Sequence, residues 1–403
     1  MTAATAAGVR ARIAAGRADL VAATGHLIGI ATENPPAHAY PRCVAALVDL
    51  LEDAGLEPEV VDVTSPGGPP RSVVRGFAGT GPTLWFHGHY DVVPAQHEGQ
   101  FAPEVRDGLL FGRGSADMKG GLAAMILAAR AIRESGTSLR GRLGLVFVPD
   151  EETGGAGGSA ALVRAGLLAE DGIGMLSPEP TGGIGWNACR GAISLRVTVH
   201  GTSAHVGLSH SGVNAFTHML DVASALRDLA MEVGERRTAY AIEPAAARSS
   251  ILLLGGQAES GANFNVVPGR CSFTVDRRIN PEEDLDAERD RLLDLLERLR
   301  GEGHDIEVEI LQEEPAAGVS ADTDLGRALA TAVAAVEDAD LRFEMCPGLL
   351  EIRFYAGLGV PAYCYGPGRL EVSHGPDEHV SVDALERCAE VYALTALDVL
   401  GAA

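Results

Sequence analysis

Five stretches of the chain place residues that can bind or move charge at the end of an apolar run. In WFHGHYDVVP, His89 and Asp91 stand two apart, and such residues face the same way on extended backbone. The aspartate can then fix the imidazole tautomer, as carboxylates do behind metal-bound histidines. FGRGSADMKGG offers Asp117, LVFVPDEETGG offers Asp150, Glu151 and Glu152, MLSPEP offers Glu179, and SHGPDE offers His374. Each has an ordinary explanation when taken singly: Asp117 as a helix N-cap, the three adjacent carboxylates as a solvated turn. Together, at one edge of one sheet, they point to divalent metal. Carboxylate and imidazole without thiolate suit zinc, manganese or cobalt, and the number of donors suits two ions sharing a bridge, zinc first.

These residues need a sheet to bring them together. Short apolar runs alternate with helical periods through the first half, the pattern of an α/β layer with a mostly parallel sheet, and such sheets gather ligands at the carboxyl ends of their strands. Thr83–His87, Arg142–Val148, Gly174–Leu176 and Ala362–Tyr365 are predicted strands, and Lys119–Glu134 is a predicted helix closed by Ser135-Gly136. From Trp186 the texture changes. Ala192–Val199 alternates with period two, followed by helices near Val213–Met231 and Asp284–Arg300 and strands near Ser250–Leu254, Cys271–Val275 and Ile306–Leu311. The expected plan is a catalytic domain in two parts, 1–186 and 313–403, interrupted by an inserted α+β domain at 187–312, with Ser381 capping a final helix.

Composition sets the outer limits. The 403 residues are 46% hydrophobic and 22% charged, which excludes disordered and fibrous classes. Lys+Arg 32 against Asp+Glu 55 leaves −23, a charge that argues against a nucleic-acid partner or an anionic membrane. Six dispersed cysteines without CxxC read as reduced thiols and a cytoplasmic setting, and the alanine-rich start, broken by Arg10, Arg12, Arg17 and Asp19, reads as a helix rather than a signal peptide. Of the 32 basic residues only Lys119 is lysine, and it stands inside the Asp117 motif.

GHYDVVP, GRGSADMKGG, PDEETGG, SPEPT, GTSAHVG with SGVNA, NVVP with VDRR, and YGPG followed by SHGPDEH occur in order between residues 87 and 379. The set resembles the two-zinc amidohydrolases that include acetylornithine deacetylase, succinyl-diaminopimelate desuccinylase, aminoacylase and glutamate carboxypeptidase. The resemblance implies a ferredoxin-like inserted domain serving as lid and dimerisation module. It implies that His89 and Glu179 bind one zinc, Glu152 and His374 the other, and Asp117 bridges them. It makes Glu151 the general base and Asp91 the group behind His89, and implies a cis bond between Asp117 and Met118. His205 would reach a substrate carbonyl across a homodimer, while Asn265, Arg278 and Arg353 would hold a substrate carboxylate. Two positions depart from the pattern: Leu350-Glu351 replaces a Thr-Asp or Ser-Asp pair, and Ser209 replaces a frequent proline.

The expected reaction is hydrolysis of an N-acyl amino acid by metal-activated water, with Glu151 carrying the proton. The alternatives are a dipeptidase or carboxypeptidase working on the same bond and, from another class, an inactive metal-binding scaffold.

Overall fold

The computed structural model describes residues 2–401. Its internal contacts divide the chain into two compact units. The first is formed by the chain up to Asn187 with Val319–Phe343 and the stretch from Phe354 onward, the second by Ala188–Gly318 with Glu344–Arg353.

In the first unit, Thr83–His89 is buried at every position and lies at the heart of a mixed sheet, as a continuous apolar run should. The strand order is Glu57–Asp62, Ser72–Ala78, Arg142–Val148, Thr83–His89, Gly172–Ser177, Ala362–Cys364, then the strand beginning at Gly185. The pairs among the middle four strands are parallel and the flanking pairs antiparallel, so the mostly parallel sheet expected from sequence is parallel only at its centre. The parallel centre matters for function, because its strands deliver their carboxyl ends to one edge. The helices Lys119–Glu134 and Val382–Leu400 join the same core through Leu122, Met125, Tyr392 and Leu397. Ser381 caps the latter, its side chain accepting from the Ala384 N–H. The chain starts with two helices where one was expected, Ala3–Ala15 and Arg17–Ile28, separated at Gly16.

The second unit is a four-stranded antiparallel sheet in the order Ile251–Ser260, Arg270–Ile279, Gly191–His200, Asp305–Glu314. Ile193, Leu195, Val197 and Val199 alternate inward and meet Val222 and Leu226 from the helix Ala215–Gly234, and Leu292 and Leu296 from Leu285–Gly301. One face of the sheet is thus covered by both helices, as period-two strands and leucine-striped helices dictate.

The second unit does not end at the expected residue 312. A bulge at Leu311 lets Gln312–Glu314 keep pairing with Ser194–Ala192, so the strand continues through a polar stretch that carries no apolar alternation. The unit also takes in Glu344–Arg353, from the stretch expected to return to the catalytic domain: the Met345 N–H donates to Ala241, and the Arg190 N–H donates to Gly348.

Candidate active site

Four sheet-edge loops and one helix start meet in the first unit. His89 ends its strand 1% exposed. Its Nδ1 lies 3.0 Å from the Asp91 carbonyl and 3.5 Å from that residue's Oδ1, which leaves Nε2 to face Asp117 Oδ1 at 3.2 Å. The Asp91 carboxylate in turn accepts the backbone N–H groups of Glu151 and Glu152, each at 3.2 Å. Asp91 therefore supports three of the proposed site residues rather than His89 alone. His87 takes no part: its ring bonds to Tyr355 and Ser159.

Asp117 stands ahead of the helix Lys119–Glu134 but does not cap it. Met118 occupies the cap position, and the Asp117–Met118 bond is cis. The backbone reaching Asp117 is cradled by Glu378, 1% exposed, whose Oε1 accepts from the N–H groups of Gly114, Ala116 and Asp117 at 3.0–3.1 Å. Arg113 pairs with Glu378 at 2.6 Å and also donates to the His374 carbonyl. His374 adopts a left-handed backbone, φ 63°, which turns its ring onto the cluster. Gly121, one turn into the helix, has no room for a side chain, because a Cβ would overlap Pro178. That close approach is what brings the Glu179 loop beside Asp117.

Ligand atoms of His89, Asp117 and Glu179 lie within 4.8 Å of one another, and so do those of Asp117, Glu152 and His374. His374 Nε2 is 3.3 Å from Asp117 Oδ2 and 3.3 Å from Glu152 Oε2. Asp117 thus turns one oxygen to each triad. A tetrahedral site with bonds of about 2.0–2.1 Å has edges of about 3.3 Å, so these spacings fit a shared ion. Among the described residues the buried Glu179 Oε1 has no hydrogen-bond partner, which is costly unless a cation faces it. Both observations fit a pair of divalent ions held by His89, Asp117, Glu152, Glu179 and His374.

The titration behaviour of the cluster agrees. Burial alone would raise the Asp117 carboxyl, yet hydrogen bonds with His374 and His89 take it well below the carboxylate range. Burial, then the charges of Asp117 and Glu151, push Glu179 well above its ordinary value, and burial raises Glu152. His374 is pushed up to about 10 by its bonds to Asp117 and Glu152, and His89 rises despite its burial through Asp117 and Asp91. Both imidazoles are thus shifted toward holding a proton beside the carboxylates. A divalent ion displaces such protons when it binds. Glu151, its side chain 15% exposed, reaches to 4.0 Å from His89 Nε2.

The remaining site candidates belong to the second unit. His205 lies on a short two-stranded ladder, Ala204–His205 paired with Val266–Val267; it is exposed, and its Nδ1 accepts from the Gly207 N–H. Asn265 adjoins this ladder, its carbonyl accepting from the Val206 N–H. Arg278 is partly exposed and pairs with Asp276 at 2.6 Å. Arg353 is 2% exposed, with Nε 3.0 Å from Glu314 and Nη1 donating to the Leu350 carbonyl, so its guanidinium is already engaged inside the unit.

Sequence reasoning gave no separate role to three residues with clear work at the site. Glu378 lay within a quoted motif but had no apparent partner. Asp150, read with its acidic neighbours, instead adopts φ 76° and accepts from Arg71, Thr153 and the Gly157 N–H. Asn34, far away in the numbering, bonds to both Asp91 and Asp150. The one lysine, Lys119, is buried and donates to the Leu27 and Ile30 carbonyls, and burial lowers it to about 8. It fastens the end of the helix Arg17–Ile28 rather than reaching the cluster.

Residues 85–398 match the model of Peptidase family M20/M25/M40. Similar solved structures include the dipeptidase Dug1p of Saccharomyces cerevisiae, at 16% identity over 98% of each chain with a TM-score of 0.74. The aminopeptidase PepT of Bacillus cereus is 20% identical over 96% of this chain and 99% of its own, with a TM-score of 0.76. YXEP of Bacillus subtilis, described as a dinuclear metal-binding peptidase, is 17% identical over 96% and 99%, with a TM-score of 0.69. At these identities the structures show a common fold, whereas the family match runs through four-fifths of the sequence and every ligand-bearing motif. The chain belongs to Peptidase family M20/M25/M40, the two-metal hydrolases that act on carbon–nitrogen bonds.

Proposed function

We propose that this protein is a dipeptidase: it hydrolyses the amide bond of a small peptide that ends in a free carboxylate. The observation that carries this reading is Asp117, whose two oxygens face two separate sets of metal donors. When bound, two divalent ions, zinc first and cobalt or manganese next, supply an acidified water and polarise the scissile carbonyl. Glu151 takes the water's proton and passes it to the leaving amine. Asp91 holds the Glu151 backbone and the His89 ring in register. Across the homodimer, His205 would donate to the developing oxyanion, and Arg278 with Asn265 is the candidate to receive the substrate carboxylate. Arg353, engaged with Glu314 and the Leu350 carbonyl, is left out of this role. The peptide class comes from the names of the similar structures, a dipeptidase and an aminopeptidase among them.

The protein works as a homodimer in this reading. The edge strand Ile251–Ser260 exposes Ile251 and Leu253, and the neighbouring helix Ala215–Gly234 exposes Phe216 and Leu220, apolar side chains and an open strand edge suited to a second copy. Six free, buried cysteines support a reducing compartment, the cytoplasm, and no helix among the described residues is long and apolar enough to cross a membrane.

The test is a screen of the metal-loaded protein on dipeptides beside N-acetyl and N-succinyl amino acids, with amine release as the readout. Dipeptides should exceed acyl amino acids in kcat/KM by at least about tenfold, ~1.4 kcal/mol. The reverse order would make the protein a deacylase, and silence on both panels would leave a metal-binding scaffold.

A further inference from the structure

The segment just before Asn34 lies along the loop that follows the His89 strand. Val92 donates its N–H to Thr32, Asn34 donates its own to Val92, and the Thr32 hydroxyl bonds to the Tyr90 carbonyl. The Ala95 N–H donates to Glu33 Oε1. This strap brings the Asn34 side chain, on a residue 4% exposed, between two carboxylates. Its Nδ2 is 2.9 Å from Asp91 Oδ2 and 3.1 Å from Asp150 Oδ1. Two carboxylates decide which end of the amide faces them, and an amide nitrogen has two hydrogens for two anionic acceptors. Thr153, 3.0 Å from the same nitrogen, donates to Asp150 at 2.9 Å.

Asp91 and Asp150 belong to different loops. The first loop carries His89 and Asp91, and the second carries Glu151 and Glu152 directly after Asp150. Arg71 pairs with Asp150 at 2.8 Å, so that carboxylate has a cation of its own. Asp91 faces His89 and N–H groups, and the Asn34 amide is the donor that binds both carboxylates together. Without it the Glu151 and Glu152 N–H bonds to Asp91 would still join the loops, but the two carboxylates would lose their common donor and repel each other, loosening that join.

We propose that Asn34 is a positioning residue for the metal centre, clamping the His89 loop to the Glu151–Glu152 loop through one amide that binds Asp91 and Asp150. It acts through Asp91, which fixes both the His89 ring and the backbone of the base. The inference rests on the reading of this cluster as a two-metal site.

The test is a metal titration of the chelator-stripped full chain with Zn2+ in competition with a chromophoric chelator, for wild type, Asn34→Ala and Asn34→Asp, with thermal unfolding alongside. Asn34→Ala should bind zinc 10–100-fold more weakly, the range seen when supporting partners of metal ligands are removed, with kcat falling by a similar factor and KM nearly unchanged. Asn34→Asp, almost the same shape but carrying a third carboxylate, should lose more than Asn34→Ala. If Asn34 only filled space, Asn34→Asp would bind zinc like the wild type. Folded variants with wild-type affinity therefore overturn the proposal. A wild type that takes up no zinc overturns the metal reading beneath it, and the proposal with it. Should Asn34→Asp fail to fold, Asn34→Ala carries the affinity comparison alone, and unchanged affinity in it overturns the proposal equally.

Discussion

Both units bury acidic groups, and the cluster around Asp117 in the first is held differently from the arginine-bound acids of the second. In the second unit Arg277, fully buried, lies 2.5 Å from Glu283 and 2.8 Å from Glu288, and Arg236 binds the same two carboxylates at 2.9 and 2.5 Å. Two guanidinium groups answer two carboxylates, and burial is outweighed enough that Glu283 sits below its ordinary pKa through bonds from Ser250, Asn280 and Arg277. In the first unit Asp117, Glu152 and Glu179 converge with no arginine or lysine paired to any of them among the described residues. Imidazoles face Asp117 and Glu152, and Glu152 also accepts the Val93 N–H. Arginine cannot give up its proton, whereas histidine can exchange one for a metal ion. A buried carboxylate held by arginine is a strut, and one faced by histidine suits a metal ligand.

That contrast can be broken by substitution. The largest expected effect is on turnover: Glu151→Gln should lower kcat about 10³-fold, within the range for a lost general base, while the protein still binds two ions by elemental analysis. Loss of metal along with activity would make Glu151 a ligand instead. Next comes the strut. Arg277→Leu should cost about 3–5 kcal/mol in urea unfolding, because two buried carboxylates lose a partner, and metal stoichiometry should not change. Adding zinc to the metal-free wild type should raise its stability by about 4 kcal/mol at a thousandfold excess over Kd, and Asp117→Asn should abolish most of that gain.

A smaller but sharper comparison uses the same chemical change in both units. Glu179→Gln should leave the metal-free protein as stable or stabilise it by about 1 kcal/mol, since it removes a buried carboxyl that burial and its acidic neighbours disfavour, while weakening zinc binding. Glu288→Gln should destabilise, because it takes a charge from a complete set of ion pairs. If both variants destabilise alike in the absence of metal, the distinction between struts and ligands fails. Ser381→Ala, which removes only a helix cap, should cost about 1 kcal/mol by thermal unfolding with kcat unchanged.

Much of the site could be read from the sequence because strands announce their own ends. His89, Asp117, Glu152, Glu179 and His374 each follow an apolar run or stand within a motif, and a parallel sheet has one edge for such residues. What could not be read was the set of partners reached through space. Asn34 sits in a proline-rich loop with no periodic signal, and Glu378 looks like one more surface acid until its three N–H donors are seen. The antiparallel flanks of the sheet escaped notice because Ser72–Ala78 is as apolar as a central strand. The far end of the second unit was hidden by the bulge at Leu311, where pairing continues after the alternation stops.

The account stands or falls on two ions sharing Asp117. X-ray absorption fine structure on the zinc-loaded protein tests this directly. It should show nitrogen and oxygen neighbours near ~2.0 Å and a metal–metal vector of about 3.5–4 Å. A sulfur shell near ~2.3 Å, placing the metal on one of the cysteines, or the absence of any metal–metal vector at full loading, would contradict it.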